Sequence, residues 1–175
     1  KKIALQKVAA ALFGGALIPW MLSAIVSLKL LENGRYYVLI PFIIAFVTDG
    51  GAYFTGFFFG KHHPFPLVSP KKTAEGCIGG IVTCVAAIVI FGVILRYAAG
   101  FCVDFWAMAA YGLAGGIITE LGDLAFSLIK REYGIKDYGN LLPGHGGMLD
   151  RFDSMVFAAP GIYLLVELFP AFSKI

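Results

Sequence analysis

Five long apolar runs constrain this chain before any other feature does. They extend from about Val8 to Leu31, Tyr36 to Phe59, Cys77 to Tyr97, Val103 to Ile129 and Phe152 to Phe169. Each reaches or approaches the ~20 residues that a helix needs to cross a bilayer. The runs are continuous rather than alternating. That favours helices over barrel strands, because a helix satisfies all its backbone groups within one segment. Pro19 lies in the first run, where it should kink the helix, and Pro160 lies in the last. Composition agrees, with 59% of the 175 residues hydrophobic and only 14% charged. An average soluble domain carries roughly 25% charged residues. A soluble globule built this way would lack the polar surface to cover itself. A cytosolic enzyme, a disordered tail and a secreted disulfide scaffold are excluded. The expectation is an all-α polytopic membrane protein with about five transmembrane helices, forming one domain over residues 1–175 with no linker and no internal repeat.

The scarce charge carries topological information. Ten of the 14 basic residues (Lys1, Lys2, Lys7, Lys61, Lys71, Lys72, Lys130, Arg131, Lys136 and Arg151) fall on one side when five runs alternate across a membrane. Lys29, Arg35, Arg96 and Lys174 fall on the other. The positive-inside rule then places the first terminus and both long polar loops in the cytoplasm. This pattern is not a nucleic-acid footprint, and no nucleic-acid partner is expected. Cys77, Cys84 and Cys102 have no metal-ligand spacing and read as small packing residues. The first run is too long for a signal peptide and is read as a span. The pairs Gly56/Gly60, Gly76/Gly80 and Gly112/Gly116 have the spacing of close helix packing, which permits a homodimer without demanding one.

Ionisable residues inside apolar runs are costly and point to function. Glu120 and Asp123 share one helix face, which Ser127 continues toward Lys130 and Arg131. Asp150 and Asp153 repeat that spacing at the start of the fifth run. Each pair has a plain alternative reading. Asp123 and Glu120 can be neutralised by a neighbouring Lys or Arg, and Asp150 with Asp153 can be a helix-capping arrangement. If Asp123, Asp150 and Asp153 instead converge, their oxygens suit Mg²⁺, which is commonly held by one or two carboxylates plus substrate phosphates. Lys71, Lys72, Lys130, Arg131, Lys136 and Arg151 lie on the same side and suit phosphates, though lipid headgroups also attract such lysines. His145 sits among glycines whose N–H groups can approach phosphate oxygens. Asp49 lies near the middle of the second run, where a buried charge needs a partner or a polar cavity. Together these groups point to metal-dependent phosphoryl or nucleotidyl transfer on a lipid.

Three segments carry a resemblance. Residues 127–153 read SLIKREYGIKDYGNLLPGHGGMLDRFD, residues 49–61 read DGGAYFTGFFFGK, and residues 69–80 read SPKKTAEGCIGG. The first resembles the signature of the phosphatidate cytidylyltransferase (CDP-diacylglycerol synthase) family, and the others resemble further segments of it. Ala74 stands where that family usually has an aromatic residue, a change expected to alter packing. The similarity runs from about Phe42 to Phe169. It implies the C-terminal portion of a longer protein with further N-terminal helices. It also implies a reaction of CTP with phosphatidic acid that gives CDP-diacylglycerol and pyrophosphate.

The resemblance implies Mg²⁺ dependence, which fits a metal held by Asp123, Asp150 and Asp153; a site with several carboxylates also suits a second cation such as K⁺. Asp123, Asp150, Lys72 and Lys130 are the expected catalytic residues. Ser69, Lys71, Lys72, Ser127, Lys130, Arg131, Lys136, His145, Arg151 and Asp49 are expected to bind substrate. The implied setting is the cell inner (cytoplasmic) membrane, multi-pass, with the site facing the cytoplasm and the acyl chains in the bilayer. The rival readings are the same chemistry on an ether lipid, an ion-coupled transporter using Asp49, Glu120 and Asp123, and a non-catalytic fragment. The loops carry the more specific pattern, which weighs against the transporter.

Overall fold

The computed structural model describes residues 5–139 and 147–174. Helix α1 (Leu5–Leu12) passes through a π-helical turn (Phe13–Leu17) into α2 (Ile18–Leu30). Pro19 stands in the first turn of α2, where its missing N–H is tolerated and the change of helical register absorbs its ring. A tight turn with Asn33 in the left-handed region leads to α3 (Gly34–Tyr37). Gly34 is required there, since a Cβ would lie 2.2 Å from the Lys29 carbonyl oxygen. Then follow α4 (Leu39–Phe59), α5 (Ala74–Ala99), β1 (Phe101–Val103), α6 (Phe105–Glu132), α7 (Leu149–Leu168) and β2 (Phe172–Lys174). Thr73 caps α5 by accepting from Gly76 N–H, and Asp104 caps α6 by accepting from Trp106 and Ala107 N–H. Gly100, at φ 70°, ends α5 in the left-handed conformation.

Among the described residues, four segments are long and apolar enough to cross a membrane: Lys7–Leu30, Gly34–Phe59, Ala74–Ala99 and Phe105–Glu132. The fifth run forms α7, but Asp150, Arg151, Asp153 and Glu167 lower its hydropathy. Its Val156, Ala158, Ala159 and Ile162 are fully buried, and it packs against α2, α4 and α6. The chain is thus a polytopic helical membrane protein in which α7 is an internal helix of the bundle.

Close approach of α4, α5 and α6 rests on glycine. A Cβ on Gly76 would lie 2.8 Å from the Ala52 carbonyl oxygen, and one on Gly112 would lie 2.7 Å from Val85 Cα. Gly56 faces Thr73 and Gly76, Gly80 faces Thr48, and Gly116 faces Ile81. The spaced glycine pairs therefore serve packing within one chain, and nothing about them calls for a second copy. Cys84 is buried in the same core, and all three cysteines are free.

The all-α expectation needs one addition. β1 and β2 pair antiparallel, with Phe101 opposite Lys174 and Val103 opposite Phe172. Tyr37 stacks on Phe172 at 4.1 Å and donates its hydroxyl to the Phe172 carbonyl at 3.1 Å. This ribbon closes the end where α5 finishes and α6 begins. The opposite end carries the polar loops and the acids.

Candidate active site at the polar end of the bundle

Four parts of the chain meet at that end. α4 brings Asp49, the loop before α5 brings Ser69, Lys71 and Lys72, α6 brings Glu120, Asp123 and Lys130, and the first turns of α7 bring Asp150, Arg151 and Asp153. All of these line a cavity of about 750 Å³. The seam between α4 and α5 is closed by glycines, so the loop at 60–73 is held directly over the acids of α6. Glu75 fixes that loop from below. Its Oε2 accepts from the N–H groups of Lys61 and His62 at 3.1 and 3.2 Å, and its Oε1 meets His62 Nδ1 at 2.5 Å.

Two lysines organise the centre. Lys72 Nζ lies 2.5 Å from Glu120 Oε2 and 2.9 Å from Asp123 Oδ2. Lys130 Nζ lies 3.0 Å from Asp150 Oδ1 and 3.6 Å from Asp153 Oδ2. Each lysine side chain is only 12% exposed, so neither pair resembles a solvated surface bridge. The pairings left open by the sequence are therefore drawn: Glu120 shares a lysine with Asp123, and Asp150 shares one with Asp153.

Asp150 does more than pair. Its Oδ2 accepts from Tyr138 N–H at 2.8 Å and from Gly147 N–H at 2.9 Å. One carboxylate thus ties Tyr138 to Gly147, two positions between α6 and α7. Burial pushes its pKa up, but the Gly147 N–H, the Lys130 ammonium and the Tyr138 N–H outweigh burial and hold it below the ordinary value. The Tyr138 phenol is pushed up to about 12, first by burial and then by Asp150 and Asp153. Asp49 finds its partner in Ser154, whose hydroxyl donates to Oδ2 at 3.1 Å. Ser154 also donates its N–H to Asp153 Oδ1 at 2.8 Å, so it links the acids of α4 and α7.

Other expected residues fall elsewhere. Ser127 and Lys136 are not among the cavity-lining residues. Arg131 braces two loops instead, donating to the carbonyls of Val68 and Ile135 at 3.3 and 3.4 Å. His145 lies outside the described residues. Ser154 was not singled out by sequence, because a serine after two acids is an ordinary helix residue until α4 is seen beside it. His63 and Asp137 also line the cavity, and their only sequence signal was membership of a His-rich loop and of the long motif.

Among the described residues, no three of His, Cys, Asp and Glu converge as a ready metal cage. The donor set nevertheless suits a hard cation. Six carboxylates (Asp49, Glu120, Asp123, Asp137, Asp150 and Asp153) and four basic side chains (Lys71, Lys72, Lys130 and Arg151) line the cavity. Oxygen donors with an anionic excess fit Mg²⁺, which completes its shell with water and phosphate oxygens.

Fold and site together define a polytopic helical membrane protein with a lysine- and carboxylate-rich cavity at one end of its bundle. The chain belongs to the cytidylyltransferase family, whose model matches residues 1–169. It is similar to the phosphatidate cytidylyltransferase of Staphylococcus haemolyticus (strain JCSC1435), with 40% identity over 135 residues, covering 77% of this chain and 50% of the relative. The protein of the same name from Staphylococcus aureus (strain COL) is 41% identical with the same coverage. That of Bacillus subtilis (strain 168) is 41% identical over 138 residues, covering 79% of this chain and 50% of the relative. The chain spans about half the length of the curated relatives it matches.

Proposed function

We propose that this chain forms the catalytic part of a phosphatidate cytidylyltransferase. The observation that carries the reading is the cavity itself, where two part-buried lysines, both inside the segments of family resemblance, each stand between two carboxylates. The names of the relatives support the same substrates, CTP and phosphatidic acid. A phosphate oxygen of the lipid attacks the α-phosphorus of CTP. The bond from that phosphorus to the bridging oxygen breaks, pyrophosphate leaves, and CDP-diacylglycerol remains. A phosphate monoester is already anionic near neutral pH, so no strong general base is needed.

The task of the protein is to bring two anions together and to offset the charge that develops between them. Lys72 and Lys130 face the transfer point, while Lys71 and Arg151 line the cavity around them and receive phosphate oxygens. Asp49 and Ser154 position Asp153 across the bundle. Asp123, Asp150 and Asp153 would hold Mg²⁺ with substrate phosphates, a cation that neutralises phosphate charge when bound. The surplus carboxylate charge leaves room for a second cation such as K⁺. The distribution of Lys and Arg supports a site on the cytoplasmic side of the inner membrane.

The test is direct. This chain, and a full-length protein that carries it, are purified in detergent and incubated with radiolabelled CTP, phosphatidic acid and Mg²⁺. Lipid-soluble label is expected. Its absence from the full-length protein, while the Bacillus subtilis relative assayed beside it is active, overturns the proposal.

A further inference from the structure

Glu120 lies outside the three segments that carry the resemblance, yet it is the closest carboxylate to Lys72, at 2.5 Å. The two partners of that lysine are unlike each other. The Asp123 side chain is 30% exposed toward the cavity, whereas the Glu120 side chain is 9% exposed. Backbone closes in behind Glu120, because a Cβ on Gly80 would lie 3.2 Å from its Oε1. Among the described residues, no well-aligned hydrogen bond from nitrogen or oxygen reaches either Glu120 oxygen, and its other polar neighbour is the weakly donating Cys77 thiol. Its hold on Lys72 is therefore electrostatic, reinforced by the Glu120 carbonyl at 3.4 Å from Nζ. A buried carboxylate with a single ammonium partner strongly resists losing it.

We propose that Glu120 is a positioning residue that retains Lys72 at the cavity wall when Asp123 is engaged by substrate or cation. This inference rests on the reading of the cavity as a phosphoryl-transfer site. Asp123 is the partner that cavity contents reach first. A lysine tethered by Asp123 alone would then swing away on its four-carbon stem. Glu120, set deeper in the cavity wall than Asp123, keeps the ammonium beside the transfer point.

Replacing Asp123 by Asn removes its charge without any metal or substrate, so the tether can be read directly. The protein in detergent is treated with a water-soluble amine-acylating ester, and modification of each lysine is quantified by mass spectrometry. In Asp123→Asn, Lys72 is expected to stay as protected as in wild type. In Glu120→Gln/Asp123→Asn its modification should rise by about ten-fold, as expected when an ammonium loses its last buried carboxylate. Glu120→Asp in the same background should restore protection. Lys130, paired elsewhere, reports an intact fold by keeping one rate throughout. Equal Lys72 reactivity in Asp123→Asn and in the double variant overturns the proposal.

In the full-length protein, Glu120→Gln should lower kcat about 10–100-fold, the cost of a misplaced catalytic group, with KM for CTP changed less than about two-fold. In a Lys72→Gln background it should cost nothing further. An additive loss there overturns the tether. An inactive wild-type protein would instead overturn the proposed function, while the labelling still decides the role of Glu120.

Discussion

At the scale of single residues, the two lysines explain how so many acids share one membrane boundary. Each ammonium lies within 4 Å of two carboxylates, so removing one acid leaves its lysine partly paired and the fold intact. Asp123→Asn is accordingly expected to leave thermal stability nearly unchanged; under the proposed function it should lower cytidylyl transfer by the full-length protein about 10²–10³-fold, the usual effect of losing one preorganised electrostatic group. Labelled CTP in the lipid phase measures it. Asp150→Asn should behave differently. That carboxylate also holds the backbone N–H groups of Tyr138 and Gly147. Its loss should cost about 2–4 kcal/mol of stability in addition to activity, because charged hydrogen bonds and a buried pair fail together. Denaturation in detergent, with faster amide exchange at Tyr138 and Gly147, is the readout.

At the scale of elements, helix spacing is set by where glycines meet backbone. Gly112 and Gly116 occupy the same face of α6, one turn apart, yet they are not equivalent. A Cβ at Gly112 would press on Val85 Cα at 2.7 Å, whereas one at Gly116 would meet Ile81 Cα at an ordinary 3.4 Å. Gly112→Ala should force α5 and α6 apart and cost about 1–3 kcal/mol, the range for overpacking a tight interface. Gly116→Ala should be close to neutral. Thermal unfolding of both variants in one detergent compares them. At the other end, Tyr111 donates its hydroxyl to the Phe169 carbonyl at 2.7 Å, linking α6 to the segment after α7. Tyr111→Phe removes that bond and should cost about 1 kcal/mol.

At the scale of the whole molecule, the cavity and the β-ribbon occupy opposite ends of the bundle, and three cysteines report on the two ends. Cys102 is exposed on the ribbon, Cys77 lines the cavity, and Cys84 is fully buried. The proposed orientation predicts that a membrane-impermeant maleimide added outside intact cells labels Cys102 and spares Cys77 and Cys84. A mass-tag assay reads this in one experiment, and labelling of Cys77 from outside would reverse the topology. Under the proposed function, the same placement would let soluble CTP and a lipid phosphate meet. The cavity lies at the bundle end that carries the polar loops, and its acids sit on α4, α6 and α7.

Much of this was legible in the residues alone. Periodless apolar runs of about twenty residues admit only helices in a bilayer, because every backbone group must be satisfied within its own segment. The scarcity of charge made Asp49, Glu120, Asp123, Asp150 and Asp153 each conspicuous, and spacing suggested that Asp123, Asp150 and Asp153 converge. Three motifs carried the family. What sequence spacing could not determine was pairing, because partners such as Lys72 and Glu120 are 48 positions apart and meet only when α5 and α6 pack. The same reason hid Ser154 beside Asp49, moved Arg131 from the cavity to a brace between loops, and turned the glycine pairs inward. It also made the fifth apolar run an internal helix and set a small β-ribbon across the far end. One-dimensional pattern determined the solvent each segment lives in and the chemistry available. Three-dimensional packing decided which charges neutralise one another, and therefore which groups are left to meet a substrate.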